Sequence, residues 1–545
     1  MAPLKPAGTT QLDVPTLGTI KGLVFPGGIQ QFCGIPYADF SKRWTRAILK
    51  TRLSGGIHDG TQHGPVTPQP PEYPDLIGGL IPVDPFPHFK EPMRAEFDCL
   101  NLNIVLPPAD VSGPLPVLVL FHGGSFLMGA STHPAYDLVK FVSHSVKRGS
   151  PVVAVSVSYR VGLFGFLASQ AIKDDLSHDG FQGAGNFGLT DQQTALSWIQ
   201  RFIHAFNGNP DDVTILGESA GGMSVAHHVY AAQPSVFHRA ISLSGTLNTI
   251  PVWTLERHER RWNALLKHFN IDSLAPDALD QLRAIPYQAV ADATCVIEGT
   301  MGTTGNPCSD GWFHSSPPAP SQIVSPPTWL KSYMVGDVRH EAMIFRMIVA
   351  YESYGSVKAS MTKFLSGADT NTILEQYDIR PETPAQQIPT RLEEMATDSL
   401  FKIQNRIHVS VSRVPKTFGF HLDQLSTFES PPFKGLAYHG LDIALAFLNL
   451  ADDLTASQQK LGEKIAADLL DFVWGKEPWP AYGRNKEWMI YGPNDGWTIK
   501  TESEDELIRG YERMDKILEL GDEVLDRWVE AVDYIVNKRW LQGST

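Results

Sequence analysis

The segment Val213-Thr214-Ile215-Leu216-Gly217-Glu218-Ser219-Ala220-Gly221-Gly222 runs a short apolar strand into a glycine-flanked serine, and Ala220–Tyr230 continues it with helical character. A Gly-x-Ser-x-Gly placed between strand and helix is a nucleophile elbow. The serine takes a strained, tight turn so that its hydroxyl projects outward. Residues 217 and 221 lack side chains because neighbouring backbone approaches closely there. Ser219 is therefore the candidate nucleophile.

Upstream, the apolar run Pro116–Phe121 ends in His122-Gly123-Gly124-Ser125-Phe126. A glycine turn of this kind exposes backbone N–H groups, the donors that the oxyanion of an acyl-transfer intermediate requires. Gly123 and Gly124 would supply two and Ala220, directly after the serine, a third. Pro116–Phe121 and Val152–Val157 are near-continuous apolar runs, as expected of strands buried on both faces. Leu100–Leu106 and Asp212–Leu216 read as further strands, and Thr19–Phe25 with Gln31–Tyr37 as a hairpin about Pro26-Gly27-Gly28. Tyr136–Lys147 has helical spacing, and residues 190–206 read as a helix with Thr190 at its N-cap. Strands alternating with helices predict an α/β, mostly parallel doubly wound sheet.

An elbow serine needs a base and an orienting carboxylate, in the chain order Ser, Asp/Glu, His. His439 lies in a glycine-rich loop, Gly435-Leu436-Ala437-Tyr438-His439-Gly440, before a helix that Asp442 could cap. Its rival His421 sits in the strand-like Phe418–His421, where a structural role is expected. Asp337 and Glu341 both lie just beyond the apolar run Tyr333-Met334-Val335, the end of a strand where catalytic loops gather.

The formal charge of −14 without basic blocks disfavours nucleic acid and anionic membrane surfaces. No apolar run reaches the ~18 residues of a membrane span. Four cysteines are too few for a disulfide scaffold. No secretory h-region opens the chain and no Asn-x-Ser/Thr sequon occurs, so the expected location is cytoplasmic. Gly183-Ala184-Gly185-Asn186-Phe187-Gly188 matches G-x-G-x-x-G but follows a polar stretch instead of a strand, so the dinucleotide context fails. His227-His228 lacks metal-ligand spacing, and the aromatic run from Trp474 to Tyr482 reads as packing. The tail 504–541 is expected to be helical, docking through Leu525, Trp528, Val532 and Ile535.

The chain resembles the type-B carboxylesterases, the α/β-hydrolase group that includes cholinesterases and fungal lipases. FCGIPYA, FDCLNLNI, FHGGSF, SYRVGLFGFLA, GNFGLTDQQTALSWI, GESAGG, VGDVRHEA and HGLDIALAF occur in the family's order over nearly the whole chain. The resemblance implies an α/β-hydrolase fold over 1–545 as one domain, with a gate-like loop at 68–98 and helical insertions at about 251–330 and 345–410. It implies Ser219 as nucleophile, Glu341 as acid in preference to Asp337, His439 as base, and Gly123, Gly124 and Ala220 as the oxyanion hole. It implies no cofactor and no metal, and a small-molecule ester as substrate. An acyltransferase on the same scaffold, a lipase or a non-catalytic scaffold member are the alternatives. Relatives carry a disulfide from the cysteine matching Cys99 to one matching position 67, where this chain has Thr67. Cys99 is thus expected to be a free thiol, while Cys295 and Cys308 could pair.

Overall fold

The computed structural model describes residues 4–70, 86, 88–232, 236–298, 305–414, 416–428, 433–450 and 454–537, the side chains of 295, 296 and 298 excepted. Thirteen strands form one sheet: β1 (Gly8–Val14), β2 (Gly18–Val24), β3 (Gln30–Pro36), β4 (Ile57–Asp59), β5 (Asn101–Leu106), β6 (Leu115–Phe121), β7 (Val153–Val157), β8 (Gly208–Glu218), β9 (Arg239–Leu243), β10 (Ser332–Val338), β11 (Thr417–Leu422), β12 (Glu487–Tyr491) and β13 (Trp497–Thr501). Their order is β1-β2-β3-β5-β7-β6-β8-β9-β10-β11-β12-β13, with β4 beside β2. From β7 to β12 every pairing is parallel, and antiparallel strands finish both ends.

The helices that matter here are α1 (Val139–Lys147), α2 (Phe187–Phe202), α3 (Ala220–Val229), α4 (Ile388–Thr397), α5 (Ile403–Val411), α6 (Leu441–Ala446), α7 (Glu502–Arg509), α8 (Tyr511–Leu518) and α9 (Asp522–Asn537). The sheet's two faces are both covered. On β6, Leu118 and Leu120 join Phe141 and Val142 of α1 in one core, while Val117, Val119 and Phe121 join Trp198 and Phe202 of α2 and Val225 of α3 in another. Period-two alternation with both faces apolar explains why these strands read as continuous runs. Each such side chain contributes roughly 1.5–3 kcal/mol by leaving water.

Several elements differ from expectation. Helix α2 begins at Phe187, because Asn186 stands at φ 56° and cross-links to Cys308 through both its amide groups. Thr190 is therefore inside the helix, its hydroxyl donating to the Phe187 carbonyl. A helix, Gln170–His178, precedes the glycine-rich segment 183–188. The tail is three helices, broken at Gly510 (φ 67°) and Gly521 (φ 102°). Leu525, Trp528, Val532 and Ile535 are all buried, against Leu392 and Met395 of α4. Strands β12 and β13 were not legible beforehand. Trp479 packs edge-on against Phe418, Phe420 and Tyr491.

Helices Leu255–His268, Ala278–Ala284 and Tyr287–Glu298 fall within 251–330, and four α-helices between Tyr354 and Val411 occupy the region expected at about 345–410, the last ending one residue beyond it. Most of the loop 68–98 lies outside the described residues, but its base is fixed. Val66 and Arg94 form a β-bridge, and the buried Arg43 guanidinium grips both oxygens of Glu96 at 2.5 and 2.9 Å. Cys99 is a free, buried thiol that donates to the Glu96 carbonyl at 3.3 Å and lies against the Thr67 hydroxyl. Burial pushes it up to about 12. Cys308 is also a free thiol; the side chain of Cys295 lies outside the described residues.

Candidate active site

Strand β8 ends at Glu218, and Ser219 follows at φ 57°, ψ −126° before α3 starts at Ala220. A non-glycine residue held there is strained, and surrounding structure must hold it. The Ser219 amide donates to the Leu243 carbonyl at 2.9 Å, tying the turn to the end of β9. A Cβ at Gly217 would stand 2.1 Å from the Gly221 backbone, and one at Gly221 only 2.0 Å from the Phe121 carbonyl oxygen. The elbow thus closes on itself and presses against the end of β6, which requires glycine at both positions.

That second contact brings the glycine turn after β6 to the serine. A Cβ at Gly123 would lie 3.0 Å from the Ser219 Cβ. Gly123 itself departs from expectation, because its N–H donates to the Tyr136 hydroxyl at 3.1 Å. The amides of Gly124, Ser125 and Ala220 have no hydrogen-bond partner among the described residues. The Gly124 carbonyl is turned the other way, accepting from Leu127 and Met128. His122, beside this turn, stacks on Tyr159 at 4.2 Å and is held down to about 4 by burial.

Two loops bring the acid and base together. After β10, His340 forms a parallel bridge with Tyr438, its amide donating to the Ala437 carbonyl and its Nδ1 accepting from the Ala437 amide. The next residues on the two loops are Glu341 and His439. The Glu341 carboxylate accepts from the Val338 amide at 2.9 Å with one oxygen and lies 2.6 Å from His439 Nδ1 with the other. Glu341 is fully buried and His439 is 5% exposed. The Nε2 of His439 lies 3.4 Å from Glu218 Oε1, and the Ser219 hydroxyl makes no hydrogen bond among the described residues. Burial works against the imidazolium, but Glu341, then Glu218 and Asp442, outweigh it and raise His439 to about 9. Burial also raises Glu218 and Asp442, the nearby carboxylates adding to the effect.

Asp337 is within β10 and faces elsewhere. It accepts from His421 Nδ1 at 2.8 Å, Arg509 Nη1 at 2.7 Å and Asn405 Nδ2 at 2.9 Å. Burial would raise it, but His421 and Arg509 prevail and hold it at about 2. All three partners are side chains. His421, its other nitrogen on Tyr511 and its ring stacked on Trp488, is structural.

Three participants were missed in the sequence. Glu218 was read only as the variable residue of the elbow. Tyr136 joins Glu218 Oε2 at 3.3 Å to the Gly123 amide. Asp442 is not the N-cap of α6, which is Gly440, but lies in its first turn, accepting from the Ile443 amide at 2.9 Å and from Ser244 Oγ at 3.1 Å. An acidic residue directly before an elbow serine was the one available signal. His227 and His228 are buried and lowered by burial, and no group of three His, Cys, Asp or Glu among the described residues could hold a metal ion.

A model of the carboxylesterase family matches residues 8–518. Lipase 3 of Yarrowia lipolytica is 28% identical over 486 residues, 86% of this chain and 89% of that protein. The para-nitrobenzyl esterase of Bacillus subtilis is 32% identical over 293 residues, 53% of this chain and 54% of that protein. A solved PNB esterase structure superposes with a TM-score of 0.74 at 24% identity, covering 93% of this chain and 99% of that one. The sheet described above is that of an α/β-hydrolase.

Proposed function

The chain belongs to the carboxylesterase family and is a carboxylic ester hydrolase, and we propose that it works through a Ser219–His439–Glu341 triad and an acyl-enzyme on small or medium, largely apolar esters. The observation that carries this reading is the 2.6 Å contact between His439 Nδ1 and Glu341, made at the same end of the sheet as the strained Ser219 turn.

The Ser219 hydroxyl attacks the ester carbonyl while His439 Nε2 takes its proton, and Glu341 fixes the tautomer and stabilises the imidazolium. To do so Nε2 turns from Glu218 to the neighbouring serine, a tightening common between resting and substrate-bound sites. The tetrahedral oxyanion rests on the free amides of Gly124, Ser125 and Ala220, since that of Gly123 is engaged by Tyr136. Each such donor is worth roughly 3 kcal/mol. The alcohol leaves with the proton from His439, and water, activated by the same imidazole, hydrolyses the acyl-enzyme.

Residues 1–545 act as one catalytic domain in this reading, supported by a sheet whose strands run from Gly8 to Thr501. A cytoplasmic location belongs to the same proposal, supported by the reduced thiol of Cys99 beside Thr67. The reading is tested by assaying Ser219→Ala, Glu341→Gln and His439→Ala variants on aryl esters of graded acyl length.

A further inference from the structure

One helical stretch reaches both the residue that follows the acid and the ring of the base of the proposed triad, and the proposed reaction does not use it. Helix α4 ends at Thr397 and passes through a π-helical turn, Asp398–Lys402, directly into α5. Such a turn inserts an extra residue into the helical repeat, shifts the side chains that follow, and recurs at functional sites.

Here the side chains on either side of the shift reach the two catalytic loops. The Thr397 hydroxyl accepts from the amide of Ala342, the residue after Glu341, at 3.0 Å. The Phe401 ring meets the His439 ring with centroids 5.6 Å apart and planes at 65°. Phe401 is 2% exposed, so the ring is packed in place. The turn itself is locked: the fully buried Asp398 accepts from Tyr377 Oη at 3.1 Å, Lys402 Nζ at 3.0 Å and Arg513 Nε at 3.0 Å.

The polar contacts of His439 among the described residues lie near its ring nitrogens, Glu341 at Nδ1 and Glu218 near Nε2. A ring held at Nδ1 can still tilt about that bond. An edge-to-face aromatic neighbour restricts the tilt.

We propose that Phe401, aimed by the π-helical turn Asp398–Lys402, is a positioning residue that restricts the tilt of the His439 imidazole, so that Nε2 turns only between Glu218, where it rests here, and Ser219. The proposal rests on the triad reading of the site. A displacement of ~1 Å at a reacting group can cost roughly 10² in rate.

The test uses the full chain with p-nitrophenyl butyrate, measuring kcat, KM and thermal midpoint for wild type, Phe401→Ala, Phe401→Leu and Phe401→Tyr, with Ser219→Ala and His439→Ala alongside. The expected result is a kcat lowered ~10–100-fold in Phe401→Ala and Phe401→Leu, with KM within about threefold of wild type and most of kcat restored in Phe401→Tyr. A folded Phe401→Leu variant with wild-type kcat overturns the proposal. So does a rise in KM at constant kcat, which marks a pocket wall, or a Phe401→Tyr variant no better than Phe401→Leu. Should Phe401→Ala fail to fold, the other two variants decide. Normal turnover by Ser219→Ala or His439→Ala defeats the triad reading itself. Loss of turnover in both, with Phe401→Leu unchanged, defeats only the positioning role.

Discussion

His340 and Tyr438 are paired in an isolated parallel β-bridge, and the residues that follow them, Glu341 and His439, meet at 2.6 Å. The bridge explains how two loops 98 residues apart in the chain hold a carboxylate and an imidazole in register. It also separates the roles of two acids four positions apart. Asp337, still in the strand, points into the buried cluster of His421, Arg509 and Asn405, while Glu341 lies beyond the bridge and reaches the histidine.

Glu341→Gln is therefore expected to lower kcat by roughly 10³–10⁴ with little change in thermal midpoint, because an amide can hold the wrong tautomer and cannot stabilise the imidazolium. Asp337→Asn is expected to cost about 3–5 kcal/mol of stability by leaving the buried Arg509 charge short of a partner, with kcat of the folded enzyme near normal. Steady-state kinetics with urea unfolding on both variants checks this. The reverse pattern would exchange the two roles.

The pH profile follows from the charges around His439. Catalysis needs the neutral imidazole, and Glu341, Glu218 and Asp442 all favour the charged one, placing its pKa near 9. The rising limb of kcat/KM should thus have its midpoint above the ordinary imidazole value of about 6.5. Removing the Glu218 charge weakens the hold on the proton, so Glu218→Gln should move that midpoint to lower pH. A midpoint that stays put or moves up contradicts the assignment.

Reductant should leave the wild-type thermal midpoint unchanged, since Cys99 is a free thiol facing the Thr67 hydroxyl. Thr67→Cys should pair with it under oxidising conditions, closing a loop of roughly thirty residues and adding about 3–4 kcal/mol that dithiothreitol removes. Thermal melts with and without reductant, with a thiol titration, measure both. A wild-type midpoint that falls on reduction refutes the first expectation.

The parts of this molecule that local rules govern were open to sequence reading. Leu118 and Val119 point to opposite faces, each into its own core, so β6 shows as an unbroken apolar run. The elbow was legible because the strain at Ser219 and the crowding at Gly217 and Gly221 leave few residue choices. What failed depended on tertiary partners. Thr190 has the composition of a cap, but Asn186, fixed by distant Cys308, starts the helix earlier. Gly123 looks like a free donor until Tyr136, thirteen residues on, takes its amide. Asp442 looks like a cap, but Gly440 holds that position, and Asp442 sits in the first turn with one oxygen on the Ile443 amide and the other on the Ser244 hydroxyl. Strands β12 and β13 are five residues each, and β13 is largely exposed, which leaves little apolar pattern to read.

The central claim is that Ser219 is the nucleophile, and a labelling experiment tests it most directly. The full chain is treated with an organophosphonate carrying a p-nitrophenyl leaving group, digested and mapped by mass spectrometry, with Ser219→Ala beside it. The account predicts one covalent adduct, on Ser219, formed as esterase activity disappears, and an alanine variant that is neither labelled nor active, its turnover lower by roughly 10⁴–10⁶. An adduct on another residue accompanying loss of activity, or ordinary turnover by Ser219→Ala, would contradict it.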